Sequence, residues 1–183
     1  MSSFEFTVEH FSEVSSTNTL ARQRAEQGSP EGLVIAADFQ TEGRGKPGRT
    51  WISPSGENLL FSVILRPPIK INEAPLLTQI ICRSVASVLK ETGIESTFKR
   101  PNDILVAGKK ICGVLVEAVS QGKKLQSVIL GIGLNVNADP AHLVPDATSI
   151  KAVTSKTYDL EVLLKKVLSQ IKKDVLVFYD STV

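Results

Sequence analysis

The sequence predicts a strand-rich α+β domain: a mixed, mostly antiparallel sheet with helices packed on one face. Three observations lead there. Apolar runs of strand length recur between clusters of Gly, Pro, Asn and Asp. Ala107-Gly108-Lys109 and Gln121-Gly122-Lys123 are too short to be anything but hairpin turns. Two long stretches carry apolar residues at helical spacing. A chain of 183 residues with 42% hydrophobic and 22% charged residues is read as one domain, 1–183, with a real core.

Residues 4–11 alternate, with Phe4, Phe6 and Val8 on one side, and predict a strand. Ser16 and Thr17 then stand where they can cap a helix that runs to about residue 27 and stops at Gly28. Residues 33–39 and 59–66 are apolar strands, the second ended by Pro67-Pro68. Between 72 and 92, Leu76, Leu77, Ile80, Ile81, Val85, Val88 and Leu89 mark one helix face, closed by Gly93. A short strand leads into a turn on Pro101-Asn102-Asp103. Strands follow over 110–120 and 125–137. After a looser region, a helix over 158–179 carries Leu160, Leu163, Leu164, Val167, Leu168, Ile171 and Val175 on one side; Lys165, Lys166, Lys172 and Lys173 form its solvated face.

Composition narrows the function. A net charge of +2 is too small to argue for a nucleic-acid partner, and none is expected. No apolar run is long enough to cross a membrane, and the first residues carry no signal-peptide pattern. Cys82 and Cys112 lie in apolar surroundings and read as free thiols of a reducing, cytoplasmic setting. His10 and His142 have no partners at metal-ligand spacing, so no structural metal site is expected.

The unusual residues concentrate in the stretch 40–51, Gln-Thr-Glu-Gly-Arg-Gly-Lys-Pro-Gly-Arg-Thr-Trp. Gly43, Gly45 and Gly48 let backbone come close to a ligand, Arg44, Lys46 and Arg49 supply cationic donors, and Trp51 is the one tryptophan of the chain. It reads as a loop that can wrap an anion. Gly131 and Gly133 fall on one face of a strand, where glycine is costly unless something must come near, so that face reads as a pocket wall. Lys99 and Lys110 can face the same anions, with Asn102 and Asp103 either bracing them or holding a metal ion. No nucleophilic triad can be assembled. Cations and positioning without a protein nucleophile suit transfer at a phosphate. The residues by themselves imply a binder or user of a nucleotide or acyl-phosphate.

The stretch 43–51 resembles the Gly-Arg-Gly-Arg-x-Gly-Arg-x-Trp signature of biotin–protein ligases, and 99–104 resembles that family's Lys-Trp-Pro-Asn-Asp segment. Ser16-Thr17-Asn18, Gln40, the strand from Lys110 to Glu117, Gly131-x-Gly133-x-Asn135 and Ala147-Thr148-Ser149 fall in the family's order. The resemblance covers about residues 8–150 and implies a fold like the catalytic core of class II aminoacyl-tRNA synthetases. It implies activation of biotin by Mg-ATP as biotinyl-5′-AMP, then transfer to a lysine of a biotin carboxyl carrier protein. It implies that Ser16, Thr17, Asn18 and Gln40 meet the biotin head, with Gly43, Gly45, Gly113, Leu115, Gly131 and Gly133 lining its pocket. Arg44 and Lys110 would be the catalytic cations between carboxylate and α-phosphate. Lys46, Arg49, Trp51, Lys99, Asn102 and Asn135 would hold the nucleotide. Lipoate and octanoate ligases, or a non-catalytic biotin-binding module, are the alternatives; a homodimer is compatible with the resemblance.

Three departures qualify it. Lys46 stands where the signature has Arg, and Arg100 where Trp is usual. The chain also shows neither the small C-terminal β-barrel nor the N-terminal helix-turn-helix of many relatives. The expectation is therefore a catalytic-domain form without a repressor role.

Overall fold

A computed structural model describes residues 4–122 and 124–182. The expectations placed on Met1, Ser2, Ser3 and Lys123 lie outside them. The seven strands are β1 (Thr7–Val14), β2 (Leu33–Gln40), β3 (Leu59–Leu65), β4 (Thr97–Lys99), β5 (Asp103–Val106), β6 (Lys109–Gln121) and β7 (Lys124–Leu134). They form one sheet in the order β1-β2-β3-β7-β6-β5-β4. Its β1–β2 pair is parallel and every other pair is antiparallel. The helices are α1 (Thr17–Glu26), α2 (Ala74–Glu91), the short α3 (Ile150–Thr154) and α4 (Leu160–Thr182).

α2 and α4 pack together on one sheet face, where Leu77, Ile81, Val85, Val167, Ile171 and Val175 meet Val34, Phe61, Val63, Leu65, Val128 and Leu130. All of these are essentially sealed from solvent, and each buried side chain is worth about 1.5–3 kcal/mol of transfer free energy. The expectation that helices cover one face holds for these two. It is corrected for α1, which lies on the opposite face and packs Ala21 and Ala25 on Leu33, Ile35, Ile64 and Ile129. The reason is topological. β1 and β2 are parallel, so the chain must cross over between them, and α1 is that crossover. It is only 10 residues long and covers part of its face.

Two boundaries also move. β1 begins at Thr7 rather than residue 4, because Phe4 and Phe6 stack edge-on, centroids 5.2 Å apart, as a lead-in to the core. β7 ends at Leu134, three residues early, where Asn135 N donates to Ile111 O.

Candidate active site

Register builds the site. Directly opposed residues of an antiparallel pair point to the same face. Ile35, Ser62, Gly131 and Leu115 therefore form one row across β2, β3, β7 and β6. The next row is Ala37, Leu60, Gly133, Gly113 and Asp103, which reaches β5. Three glycines thus sit together on the α1 face, beyond the end of α1. A cleft of about 670 Å³ lies over them.

The glycines make room first for the protein's own side chains. A Cβ on Gly131 would run into the side-chain amide of Asn18. One on Gly133 would sit 2.5 Å from Cε2 of Trp51, and one on Gly113 would sit 2.9 Å from Trp51 Cζ3 and 3.2 Å from Lys110 Nζ. The indole lies along bare strand, and Lys110 Nζ stands 5.2 Å from its ring centroid, a cation–π contact.

At the α1 end of the cleft the polar groups form a chain. Ser16 is the N-cap by position, yet its side chain caps nothing. The first helical amide, Thr17 N, donates instead to Gln40 Oε1 at 2.7 Å, and Thr17 Oγ1 donates to the same oxygen at 3.0 Å. Ser62 Oγ lies 2.8 Å from Thr17 Oγ1 and 2.5 Å from Asn18 Oδ1. Ser16, Thr17, Asn18 and Ser62 are all buried. Ser16, which caps nothing, lines the cleft beside this row, so a polar ligand there would meet its hydroxyl.

The other end is cationic. The stretch after β2 is a tight hairpin: Trp51 N donates to Gly43 O, Gly45 N to Arg49 O and Arg49 N to Lys46 O, with Gly48 at φ +78°. Gly43 must be glycine, since a Cβ would strike Trp51 O. This hairpin brings Arg44, Gly45, Lys46, Arg49 and Trp51 to the cleft wall. Lys99, Arg100, Asn102 and Lys110 also line the cleft. Each of the two cations expected to be catalytic stands beside a carboxylate. Arg44 NH2 donates to Glu117 Oε2 at 2.9 Å. Lys110 Nζ is 2.8 Å from Asp103 Oδ1, an ion pair rather than a directed hydrogen bond. Lys110 is itself fixed by its backbone, which pairs with the returning loop through Lys110 N to Asp146 O and Thr148 N to Lys110 O. Asn102 Nδ2 donates to Val114 O, which leaves its Oδ1 buried and unpartnered at the cleft.

Behind this wall the thiols of Cys82 and Cys112 are buried and free. Burial, then the charge of Asp103, pushes Cys82 up to about 12. Burial likewise holds Cys112 well above the usual thiol range. Both are protonated at neutral pH and neither is a nucleophile.

Of the site residues expected from sequence, the cleft wall gathers all but two. Gly43 is buried behind the hairpin. Asn135 is buried outside the wall, with Nδ2 on Thr148 O and Oδ1 unpartnered. Ser62 and Glu117 are additions. Ser62 was visible as the one polar residue in the apolar run 59–65. The 144–146 segment, Val-Pro-Asp, also lines the cleft and carried no sequence signal.

The family model of biotin/lipoate A/B protein ligases matches residues 11–135, and this chain belongs to that family. It is 37% identical over 166 residues to the bifunctional ligase/repressor BirA of Bacillus subtilis, an alignment covering 87% of this chain and 51% of that protein. The chain thus spans about half the length of that curated relative. A solved structure of the Aquifex aeolicus biotin protein ligase with biotin and ATP superposes with a TM-score of 0.80 at 34% identity, covering 94% of this chain and 72% of that one. The Leishmania major biotin protein ligase with biotinyl-5-AMP superposes at 0.74 with 27% identity, covering 95% and 80%.

Proposed function

We propose that this chain is the catalytic core of an ATP-dependent biotin–protein ligase. The observation that carries the reading is one cleft with two unlike ends. One end is a buried, neutral hydrogen-bonding row, Thr17–Ser62–Asn18 with Gln40, beside bare strand. The other end is lined by Arg44, Lys46, Arg49, Lys99 and Lys110. A ureido head needs the first and a carboxylate meeting a triphosphate needs the second. Lipoate or octanoate would bring to the polar end a dithiolane or an alkyl chain that offers no hydrogen bonds, and would cover its remaining hydrogen-bonding capacity without replacing the water.

In the first step, a biotin carboxylate oxygen attacks the α-phosphorus of ATP and pyrophosphate leaves with the bond electrons, giving biotinyl-5′-AMP. Two anions must approach, and Arg44 and Lys110 remove the repulsion as charge develops between them. Arg49, Lys46 and Lys99 hold the outer phosphates. Trp51 packs beside the nucleotide and Asn135 serves its adenine side through the loop it braces. The unpartnered Asn102 Oδ1 and the neighbouring Asp103 carboxylate are hard oxygen donors that would suit magnesium bound with ATP, where the ion would screen phosphate charge. In the second step, the amine of a carrier lysine attacks the acyl carbon, loses a proton and releases AMP. The acceptor is a biotin carboxyl carrier protein, and two free buried thiols suit a cytoplasmic setting. Among the described residues no helix is long and apolar enough to cross a membrane.

The test is biotin-dependent exchange of pyrophosphate into ATP, run beside lipoate. Exchange with biotin alone is expected. Exchange with lipoate instead overturns the substrate, and biotin binding without exchange overturns catalysis.

A further inference from the structure

Glu117 is not on the cleft wall, yet it bridges one group of the neutral row and one of the cations. Its Oε2 accepts from Asn18 Nδ2 at 2.7 Å and from Arg44 NH2 at 2.9 Å. Asn18 is 4% exposed and passes the chain on through Oδ1 to Ser62 Oγ and then to Thr17 and Gln40. The Asn18 amide reaches this position because residue 131 has no Cβ. One continuous line of polar contacts therefore runs from Gln40 to Arg44, closed at Gln40 by the Thr17 amide when the Thr17 and Ser62 hydroxyls point their single protons toward Asn18.

An exposed Arg–Glu pair on its own is worth little. This one differs because the acceptor oxygen is shared with a buried, fully directed amide. An amide oxygen can also accept two donors, as Gln40 Oε1 is placed to do, but a carboxylate oxygen does so with charge assistance. Charge-assisted bonds to it are the stronger kind. The guanidinium has five donors, and Glu117 takes one. The planar fork is thereby held while its other donors stay free for an incoming anion.

We infer that Glu117 is a positioning residue that couples the head-group end of the cleft to Arg44 at the anion end. This rests on the proposed ligase reading for its consequence in catalysis, but the coupling itself is a property of the ligand-free protein. Glu117→Gln keeps an oxygen that can accept from both partners but removes the charge that strengthens both bonds. Without that charge the guanidinium is held by a neutral contact only, and Arg44 should sample other orientations.

The experiment has two arms. In the ligand-free protein, trypsin cleavage after Arg44 and Arg49 is timed for the native chain, Glu117→Gln and Glu117→Asp. Cleavage several-fold faster in Glu117→Gln, partly restored in Glu117→Asp, is expected, with melting temperatures within about 3 °C of one another to show that all three fold. In the second arm, single-turnover adenylation with biotin and ATP is measured as a double-mutant cycle with Arg44→Ala. Glu117→Gln should slow the native background about 10-fold, the usual size for a charge-assisted contact, and the Arg44→Ala background less than about 2-fold. The same slowing on both backgrounds means that Glu117 acts by general structure, and overturns the inference. So does an unchanged trypsin rate. A native chain without biotin-dependent adenylation sinks the ligase reading, while the trypsin arm still decides the coupling.

Discussion

On the face covered by α2 and α4, β3 and β7 present Phe61, Val63, Leu130 and Ile132; one residue along, on the α1 face, the same strands present Leu60, Ser62, Gly131 and Gly133. The backbone ladder is shared. Only the side of the pleat differs. The closed face spends large apolar side chains on stability. The open face gives them up for close approach, and for the hydroxyl and amide groups that line its cleft. A strand slip of one residue would exchange the two sets, so the packing of α2 and α4 also fixes which residues face the cleft. Stability on one side sets the geometry on the other.

The largest effect should come from the open face's charge. Lys110→Ala removes a cation whose position is set by its own backbone pairing and by Asp103. Single-turnover adenylation should fall by roughly 10²–10³, the usual cost of losing one donor to developing charge, while biotin binding survives. Near-normal adenylation in a folded variant would remove Lys110 from the chemistry. The thermal midpoint should hardly move, because the lysine is part-exposed and leaves only Asp103 to be rehydrated.

Neighbouring residues of β7 allow a sharper contrast. Gly131→Ala places a methyl against the Asn18 amide, which must shift and break with Ser62 or Glu117. Biotin affinity should drop by about 10-fold or more, with about 1–3 kcal/mol of overpacking strain. Leu130→Ala empties a fully buried site on the closed face. It should cost about 2–5 kcal/mol of stability and leave the affinity of the surviving folded protein near native. Calorimetric biotin titration with denaturant melts of both variants tests this. Equal losses of affinity would mean that the two faces are not separable.

How far this division could be read in the sequence depends on the range of the interactions. The central strands, α2 and α4 announce themselves by local periodicity. The glycine pair at 131 and 133 shows its face through period two, and the Gly/Arg/Lys hairpin shows its chemistry by composition. The identity of what fills the space beside the glycines was not legible. Asn18 meets Glu117 across 99 positions, and Arg44 meets it across 73. Such pairings depend on register between strands that no local pattern specifies. The same holds for α1. Its helical pattern is local, but the face it takes follows from the parallel pairing of β1 and β2. Ser16 and Thr17 looked sufficient as caps, and only the contact with Gln40 shows that they are spared that task.

The smallest effect expected lies where the two faces are stapled together at the start of β2 and the end of β3. Tyr179, 1% exposed near the end of α4, donates its hydroxyl to Glu31 Oε1 at 2.7 Å. The same oxygen accepts from Arg66 N at 2.9 Å, and Arg66 NH2 reaches Ala25 O and Ser29 O at the end of α1. Burial first, then the hydrogen bond to Glu31 and its charge, hold the Tyr179 phenol well above its ordinary range. Tyr179→Phe should cost about 1 kcal/mol, a melting shift of about 2–4 °C for a chain of this size, because Glu31 keeps its Arg66 partner. The sign of the pH dependence follows from the raised phenol. The folded state holds its proton more tightly than the unfolded chain. The contribution is therefore full below the unfolded value of about 10 and is lost as pH rises beyond it. The gap between native and Phe proteins should be constant from neutral pH to about 9 and shrink above 10. Biotin affinity should be unchanged throughout. A Phe variant that melts like the native protein but binds biotin less tightly would mean that this staple positions α1, and with it Thr17 and Asn18, rather than stabilising the fold.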